Sequence, residues 1–177
     1  GNAGIDELRF AAAIAGTLTL FSGDIGIEQI VIGTGTSATA VTTGTAALNV
    51  NAAALLTPVM ITGNAGNNIL TATSGNDTLN GGAGNDLLKG GEGSDIYLIS
   101  SATDHSLAEI EDNGLTGIDE IRFGASVSST LTIFAGNIGV ERIVIGTGVA
   151  SNAISSGTAA LHVNASSAAN ALTIMGN

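Results

Sequence analysis

The sequence predicts an all-β protein, with a central parallel β-roll flanked by two copies of an irregular β-solenoid repeat. Three observations support this fold class. Residues 63–98 divide into four nine-residue lines of one pattern. Residues 4–64 return at 117–177 with a constant shift of 113 positions. The chain has 26 glycines, one proline and only 3% aromatic residues, which suits a repetitive solenoid better than a domain with a large aromatic core.

The four lines read GNAGNNILT, ATSGNDTLN, GGAGNDLLK and GGEGSDIYL. Each line opens with a six-residue turn and closes on an apolar pair that begins a strand. The turns end on a carboxylate or its amide, at Asn68, Asp77, Asp86 and Asp95. The last two lines fit the pattern G-G-x-G-x-D-x-U-x at every fixed position, with U a large apolar residue. That pattern is typical of a calcium-binding parallel β-roll.

Glycines at the first, second and fourth places of a line let the backbone adopt positive φ and turn tightly. Such a turn points carbonyl oxygens inward, where they need a partner. Calcium is a hard cation that accepts about six to eight oxygen ligands from carbonyls and carboxylates. We therefore predict that the four closing residues bind calcium, together with neighbouring turn residues: Asn76, Gly82, Gly84, Gly91 and Gly93.

The large apolar residues Leu79, Leu88 and Tyr97 recur nine positions apart, so we expect them to form a buried ladder. Tyr97 ends this ladder, and its hydroxyl is expected to reach water. The apolar core of such a roll is thin. Bound metal must therefore supply much of the stability.

Two nine-residue lines make one coil, so turns two lines apart are expected to be neighbours. This pairs the turn of Asn68 with that of Asp86, and the turn of Asp77 with that of Asp95. Because Asn68 is a neutral and poorer ligand, the first pair is expected to bind calcium weakly or not at all.

Residues 63–98 resemble the RTX (hemolysin-type) calcium-binding repeat family. The resemblance is close in the last two lines, good in the second, where Ala72 and Thr73 replace two glycines, and weakest in the first. It implies Ca²⁺ as the bound ion and a secreted bacterial protein. Proteins of this type are exported through a type I channel by a C-terminal signal; none is recognisable, which suggests an internal fragment. A flexible Gly/Asn-rich linker is the alternative, but it leaves the apolar ladder unexplained.

The duplication predicts a tandem array with a period near 113 residues. GIDELRF at Gly4–Phe10 returns as GIDEIRF at Gly117–Phe123, and IGIEQIVIGTG at Ile25–Gly35 returns as IGVERIVIGTG at Ile138–Gly148. We expect four parts: repeat copy 1 at 1–62, the calcium roll at 63–98, an acidic connecting or capping segment at 99–116, and repeat copy 2 at 117–177. The final Gly176 and Asn177 match the place where the roll begins.

Within the copies, branched residues bounded by Gly, Asn and Ser favour short strands. A short helix is the alternative at Phe10–Ala15 and Ala52–Leu56. Four phenylalanines, which occur as matched pairs across the copies, are expected to fill solenoid corners: Phe10, Phe21, Phe123 and Phe134.

Charged residues in the copies also recur. Glu7 with Arg9, and Glu120 with Arg122, are two apart on predicted strands and so share a face, which predicts ion pairs within or between coils. Glu28 and Glu141 occupy matching places and are expected to be surface charges.

The acidic segment and the start of copy 2 contain Asp112 and Asp119, in the stretch IEDNGLTGIDEIRF. These two aspartates are candidates for one further calcium ion. A solvated acidic loop explains them equally well.

Composition excludes several classes of function. The net charge is −11, and ten of the fifteen acids lie between Asp77 and Glu120, which excludes ordinary nucleic-acid binding. No cysteine and no run of 18 apolar residues occurs, so neither a disulfide framework nor a membrane span is expected. His105 follows Asp104 without a nucleophile motif, and His162 aligns with Asn49 of the other copy, so we expect no catalytic activity.

Two functions remain. The preferred one is a calcium-binding structural module of a long secreted bacterial surface or extracellular protein, such as an adhesin stalk, a surface-layer protein or a filament. It would fold on calcium binding outside the cell and stack or self-associate with further copies. The alternative is a calcium-dependent folding and secretion module of a secreted enzyme, such as a protease, lipase or polysaccharide epimerase.

Overall fold

A computed structural model describes residues 4–36, 38–147, 154 and 159–176. These residues form short β-strands and no helix, and none of them provides a helical segment suited to crossing a membrane. The strands are β1 Glu7–Phe10, β2 Gly16–Thr19, β3 Gln29–Ile32, β4 Thr34–Thr36, β5 Thr39–Val41, β6 Leu48–Asn51, β7 Met60–Thr62, β8 Ile69–Thr71, β9 Thr78–Asn80, β10 Leu87–Lys89, β11 Ile96–Ile99, β12 Glu120–Phe123, β13 Ser129–Thr132, β14 Arg142–Ile145, β15 Leu161–Asn164 and β16 Thr173–Met175.

Parallel pairing between successive coils builds the fold. One sheet has eight strands in the order β1-β3-β7-β9-β11-β12-β14-β16, and a second has four in the order β10-β8-β6-β2. Strands β13 and β15 form a further parallel pair, and β4 and β5 form an antiparallel hairpin. The predicted all-β parallel roll continued by solenoid coils is thereby confirmed.

The duplicated sequence produces the same strands twice. Strands β1, β2, β3, β6 and β7 of the first copy return 113 positions later as β12, β13, β14, β15 and β16. The register is also kept, because Glu7 pairs with Gln29 and Glu120 pairs with Arg142. The matches of Gly148 and Asn177 lie outside the described residues.

The four nine-residue lines pair two lines apart, as predicted. Strand β8 pairs with β10, and β9 pairs with β11. Leu79 and Tyr97 are therefore neighbours in the eight-stranded sheet, whereas Leu88 lies beside Leu70 in the other sheet. The prediction that the three residues form one ladder is wrong, because successive nine-residue lines alternate between the two sheets. All four side chains are fully buried in one core. The strands of the roll are only three or four residues long, so each strand contributes few side chains to this core.

The helical alternative is wrong. Phe10 is the last residue of β1 and the residues after it are irregular up to β2. Ala52–Leu56 forms a turn, in which the Leu55 amide donates to the Ala52 carbonyl at 2.9 Å. Coil-to-coil pairing of the flanking strands overrides the helix preference of alanine.

The phenylalanines are only partly the predicted corner residues. Phe123 is fully buried and Phe10 packs against the core. Phe134 is half-buried beside the His105 ring, with centroids 5.9 Å apart. Phe21 is 65% exposed, so the prediction is wrong there; it lies in the tight turn closed by its own amide and the Asp24 carboxylate.

The predicted ion pairs are confirmed. Arg122 Nε contacts Glu120 Oε1 at 2.5 Å, and Arg9 contacts Glu7 in the same way in the first copy. In the second copy Glu120 also contacts Arg142 of the next coil at 2.9 Å. Glu120 and Arg122 are nearly inaccessible to water, and the contact of Glu120 with the partly exposed Arg142 links β12 to β14.

Candidate calcium-binding site

The turns of the roll stack on one another through their closing residues. The Asn68 amide donates to Oδ1 of Asp86 at 2.8 Å, and the Asp77 amide donates to Oδ1 of Asp95 at 2.7 Å. Each bond joins residues 18 positions apart, which is one coil. One oxygen of each aspartate is thus fixed to the preceding turn of the same column.

The fifth residue of each turn adds a second contact between the same turns. Asn67 Oδ1 accepts a bond from the Asn85 amide at 3.0 Å, and Asn76 Oδ1 accepts one from the Ser94 amide at 2.8 Å. Asn76, a predicted ligand, therefore uses its side-chain oxygen to hold a neighbouring turn.

The predicted turn glycines adopt a left-handed backbone. The φ values are +90° at Gly82, +119° at Gly84, +98° at Gly91 and +112° at Gly93, where side chains are strained. A Cβ on Gly82 would lie 2.4 Å from the Asn64 carbonyl oxygen. Glycine is required here because the turns approach one another through their backbones.

The two turns that match the full pattern each contain a buried oxygen without a partner. Asp86 is 4% exposed and Asp95 is fully buried, yet Oδ2 of each has no hydrogen bond. A buried anionic oxygen left unpaired is costly unless a cation or a donor meets it. Calcium prefers carboxylate and carbonyl oxygens as ligands, so Asp86 and Asp95 fit this ion.

The first glycine of each consensus line gives the carboxylate its space. A Cβ on Gly81 would lie 2.3 Å from Oδ2 of Asp86, and one on Gly90 would lie 2.1 Å from Oδ2 of Asp95. Real Cβ atoms do not approach an oxygen so closely. These glycines therefore keep the two unpaired oxygens in place.

Asp77, in the second line, is satisfied without an ion. Its Oδ1 accepts a bond from the Val59 amide at 2.6 Å, and its Oδ2 accepts bonds from the Thr73 amide and hydroxyl at 2.9 and 2.8 Å. Thr73, which replaces the second glycine, supplies the hydroxyl. The sequence shows this departure from the pattern but does not reveal that the threonine is the carboxylate's partner.

Asn68, in the first line, is satisfied as well. Its Nδ2 donates to the Leu48 carbonyl at 2.6 Å and to Asn64 Oδ1 at 3.0 Å, while its Oδ1 accepts a bond from the Asn64 amide. The neutral amide of Asn68 therefore needs no cation, because hydrogen bonds satisfy both its oxygen and its nitrogen. This arrangement is consistent with the expectation that the first line contributes a poorer ligand.

Burial dominates the electrostatics of the two unsatisfied aspartates. It raises the pKa of Asp86 to about 6, and repulsion from Glu109 and Asp104 adds to the effect. It raises the pKa of Asp95 to about 8, with further repulsion from Asp77, Asp112 and Asp119. A divalent cation would offset both effects, because it favours the ionised carboxylate.

The last two predicted ligands, Asp112 and Asp119, lie beside Asp95. They are 3% and 4% exposed, so the alternative of a solvated loop is wrong for these two side chains. Carboxylate oxygens of the three aspartates lie within 4.8 Å of one another.

Tyr97 is a member of this site that sequence reasoning placed incorrectly. It is fully buried, and its hydroxyl donates to Oδ2 of Asp112 at 2.5 Å instead of reaching water. The acidic segment folds back over the roll and covers it, which the nine-residue period could not reveal.

His105 has a structural environment. Its Nδ1 lies 2.5 Å from Glu109 Oε2 and its Nε2 lies 2.9 Å from Asn137 Nδ2, with the imidazole buried. Since Asn137 donates from its amide, the ring nitrogen facing it accepts, and the other nitrogen faces the glutamate. The contact between His105 and Asn137 joins the acidic segment to the second copy.

The stacked glycine turns, the unpaired aspartate oxygens and the parallel coils define a calcium-binding β-roll. Residues 62–97 match the family model of the RTX calcium-binding nonapeptide repeat in four copies. This segment therefore consists of RTX repeats, which bind calcium and occur in secreted bacterial proteins. The flanking copies lie outside the match. Neither a curated protein nor a solved structure matched the chain.

Proposed function

We propose that the chain is a calcium-stiffened structural segment of a long extracellular bacterial protein, such as a surface stalk, a surface layer or a filament. Two features support the proposal: the unpaired, buried carboxylate oxygens of Asp86 and Asp95, and the repetition of the flanking coils. The first feature couples folding to the binding of an ion. The second allows further copies of the repeat to be added to the same stack of coils.

The unpaired oxygen of each consensus turn is the observation that carries the metal part of the proposal. Without an ion, the folded roll must bury two carboxylates beside other acids, Glu109 among them. With calcium, the same oxygens and carbonyl oxygens of the turns would become ligands. Calcium thus stabilises the fold as a ligand that binds the native state and not the unfolded chain. Low calcium inside a cell would leave the roll only marginally stable, and higher calcium outside would stabilise its folded state.

The flanking copies support the structural part of the proposal over a role as an accessory to a catalytic domain. Copy 2 pairs with the roll through β11 and β12, and its strands then repeat those of copy 1. Repeat arrays of this kind transmit stability from each unit to the next. Further units would stack in the same way, which is the self-association we propose.

Circular dichroism and thermal melting with and without a chelator test the metal part. Calcium should raise the melting temperature. The free energy of unfolding should grow by about 1.4 kcal/mol for each bound ion and each tenfold rise in free calcium above the dissociation constant. The double variant Asp86→Asn/Asp95→Asn should lose most of this gain, whereas Asp24→Asn, an exposed acid of copy 1, should keep it. Identical melting curves with and without calcium would overturn the proposal.

Electron microscopy of a chain with several 113-residue units tests the structural part. We expect rods whose length rises in proportion to the number of units when calcium is present. Units that behave as separate beads in calcium would contradict a continuous stack.

A further inference from the structure

Residues 112–119 form a turn that stacks on the last nine-residue line just as that line stacks on the second. The Asp95 amide donates to Oδ1 of Asp119 at 2.8 Å, as the Asp77 amide donates to Asp95. The Ile118 amide donates to Oγ of Ser94 at 3.0 Å, which repeats the contact made by the fifth residue of each turn. The segment is therefore a fifth turn of the roll, outside the family repeat.

The backbone of this fifth turn approaches the previous one in the same manner. A Cβ on Gly114 would lie 1.9 Å from the Gly91 carbonyl oxygen, and one on Gly117 would lie 1.7 Å from that of Gly93. Gly117 has φ +103°, in the left-handed region. Gly91 and Gly93 approach the second line in the corresponding way, so the stacking of glycine turns continues beyond the nine-residue lines.

Three buried carboxylates meet where the fifth turn covers the fourth. Asp95, Asp112 and Asp119 each present an oxygen within 4.8 Å of the others. Two acids in such a cluster already repel one another strongly, and three buried acids need a cation to remain ionised. Glutamates contact the basic residues of this region: Lys89 contacts Glu111, and Arg122 and Arg142 contact Glu120.

An unpaired oxygen points into this cluster. Oδ2 of Asp95 has no hydrogen bond although the residue is fully buried. The space that a Cβ on Gly90 would occupy is 2.1 Å from this oxygen and 2.4 Å from the Tyr97 hydroxyl, which itself donates to Asp112. The unpaired oxygen thus lies on the side of the roll where Asp112 is held. It supports a cation here separately from the fact that three acids lie close together.

We propose that Asp95, Asp112 and Asp119 bind a calcium ion at the junction between the RTX roll and the second copy. The donors are all oxygens, which favours a hard cation over zinc or copper, and their irregular arrangement around backbone turns suits calcium better than octahedral magnesium. The inference rests on the proposed function, because it requires that this roll binds calcium. Its consequence is that the ion fixes copy 2 to the roll, since Asp119 directly precedes β12.

Ion counting by calorimetry and native mass spectrometry tests the inference. Asp119→Asn removes the charge but keeps an oxygen that accepts the bond from the Asp95 amide. Asp112→Asn removes the charge and keeps one of the two oxygens that accept bonds from the Tyr97 hydroxyl and the Gly114 amide. Each variant should bind one calcium ion fewer than the unaltered chain, while the control Asp24→Asn should bind the full number. An unchanged number in both junction variants would overturn the inference and leave the proposed function standing. No calcium binding by the unaltered chain would overturn both.

Terbium luminescence gives a second measurement that does not depend on the number of ions. The chain has one tyrosine, Tyr97, and no tryptophan, so tyrosine excitation reports only on ions near this residue. Terbium replacing calcium should emit strongly, Tyr97→Phe should abolish the emission, and Asp112→Asn should reduce it several-fold. Asp86→Asn, on the other sheet, should leave most of it. Full emission in Asp112→Asn and Asp119→Asn would overturn the inference even if one of them binds other ions less well.

Discussion

The Tyr97 hydroxyl donates to Oδ2 of Asp112 at 2.5 Å, in an interior from which water is excluded. Burial, together with the negative charge of Asp112, raises the pKa of Tyr97 far above its usual value, so the tyrosine remains a donor. The contact joins the last strand of the roll to the acidic segment. It also gives a buried carboxylate its neutral partner.

Removing that donor should destabilise the junction. Tyr97→Phe keeps the ring in the core and leaves Oδ2 of Asp112 without its hydroxyl. We expect a loss of about 1.5–3 kcal/mol in the free energy of unfolding, the usual range for a hydrogen bond to a charged group. Urea denaturation of calcium-free protein measures it. An unfolding midpoint that does not move would show that the bond contributes nothing.

Gly81→Ala should impair calcium binding in the third line. The new Cβ would lie 2.3 Å from Oδ2 of Asp86 and must displace it. We expect calcium affinity to fall by more than about tenfold, since even partners outside the ligand shell of a metal cost that much when mutated. Titration calorimetry measures the affinity.

Gly23→Ala is the matched control for this substitution, because a Cβ there meets nothing within 4 Å. It should bind calcium as the unaltered chain does. Equal affinities for Gly81→Ala and Gly23→Ala would contradict the role we assign to the Asp86 carboxylate.

Asp86→Asn should change calcium-free and calcium-bound protein in opposite directions. Without calcium, the change removes a buried charge that faces Glu109 and Asp104, so the melting temperature should rise. With saturating calcium, the variant loses a charged ligand and should melt below the unaltered chain. Differential scanning calorimetry under both conditions checks the crossing. If the variant melts lower in both conditions, packing and not charge governs this position.

Stability should depend on pH in opposite ways with and without calcium. Burial raises the pKa of Asp95 to about 8, Asp119 to about 7 and Asp86 to about 6, all above the usual range of aspartate near 4 in an unfolded chain. The folded calcium-free protein therefore holds protons that the unfolded chain releases. Its extra stability is fully present below about pH 4 and is lost as the pH rises through about 6 to 8.

Calcium reverses this dependence, because it binds the ionised carboxylates and releases their protons. The melting temperature of metal-free protein should be higher at pH 5 than at pH 8, and the gain from added calcium should be larger at pH 8. Thermal melts at the two pH values, each with and without calcium, measure both quantities. A metal-free protein that melts higher at pH 8 would contradict the assigned burial effects.

The sequence predicts the parts of the fold that repeat. A nine-residue period that alternates between two sheets makes turns two lines apart neighbours, and Asp77 and Asp95 are found in that relation. The shift of 113 residues likewise predicts that β12 repeats β1. These features are predictable because each follows from a pattern that the sequence itself repeats.

The features that the sequence could not predict involve the acidic segment, which follows the nine-residue lines and does not share their period. The acidic segment covers Tyr97, so the expected exposure of its hydroxyl is wrong. The fifth turn has different spacing from the nine-residue lines, and structural contacts such as that of Asp95 with Asp119 are needed to reveal it. Thr73 is similar: a departure from the glycine pattern proves to satisfy Asp77.

The parallel partners of this solenoid are close along the chain. From the Asp77–Asp95 contact to the Asn49–Thr17 contact, they are 18 to 32 positions apart. Each new coil can thus dock as soon as a few tens of residues have followed the one beneath it, without waiting for the far end of the polypeptide. Assembly of such a chain can proceed vectorially, and a stall at one coil leaves every coil already docked intact.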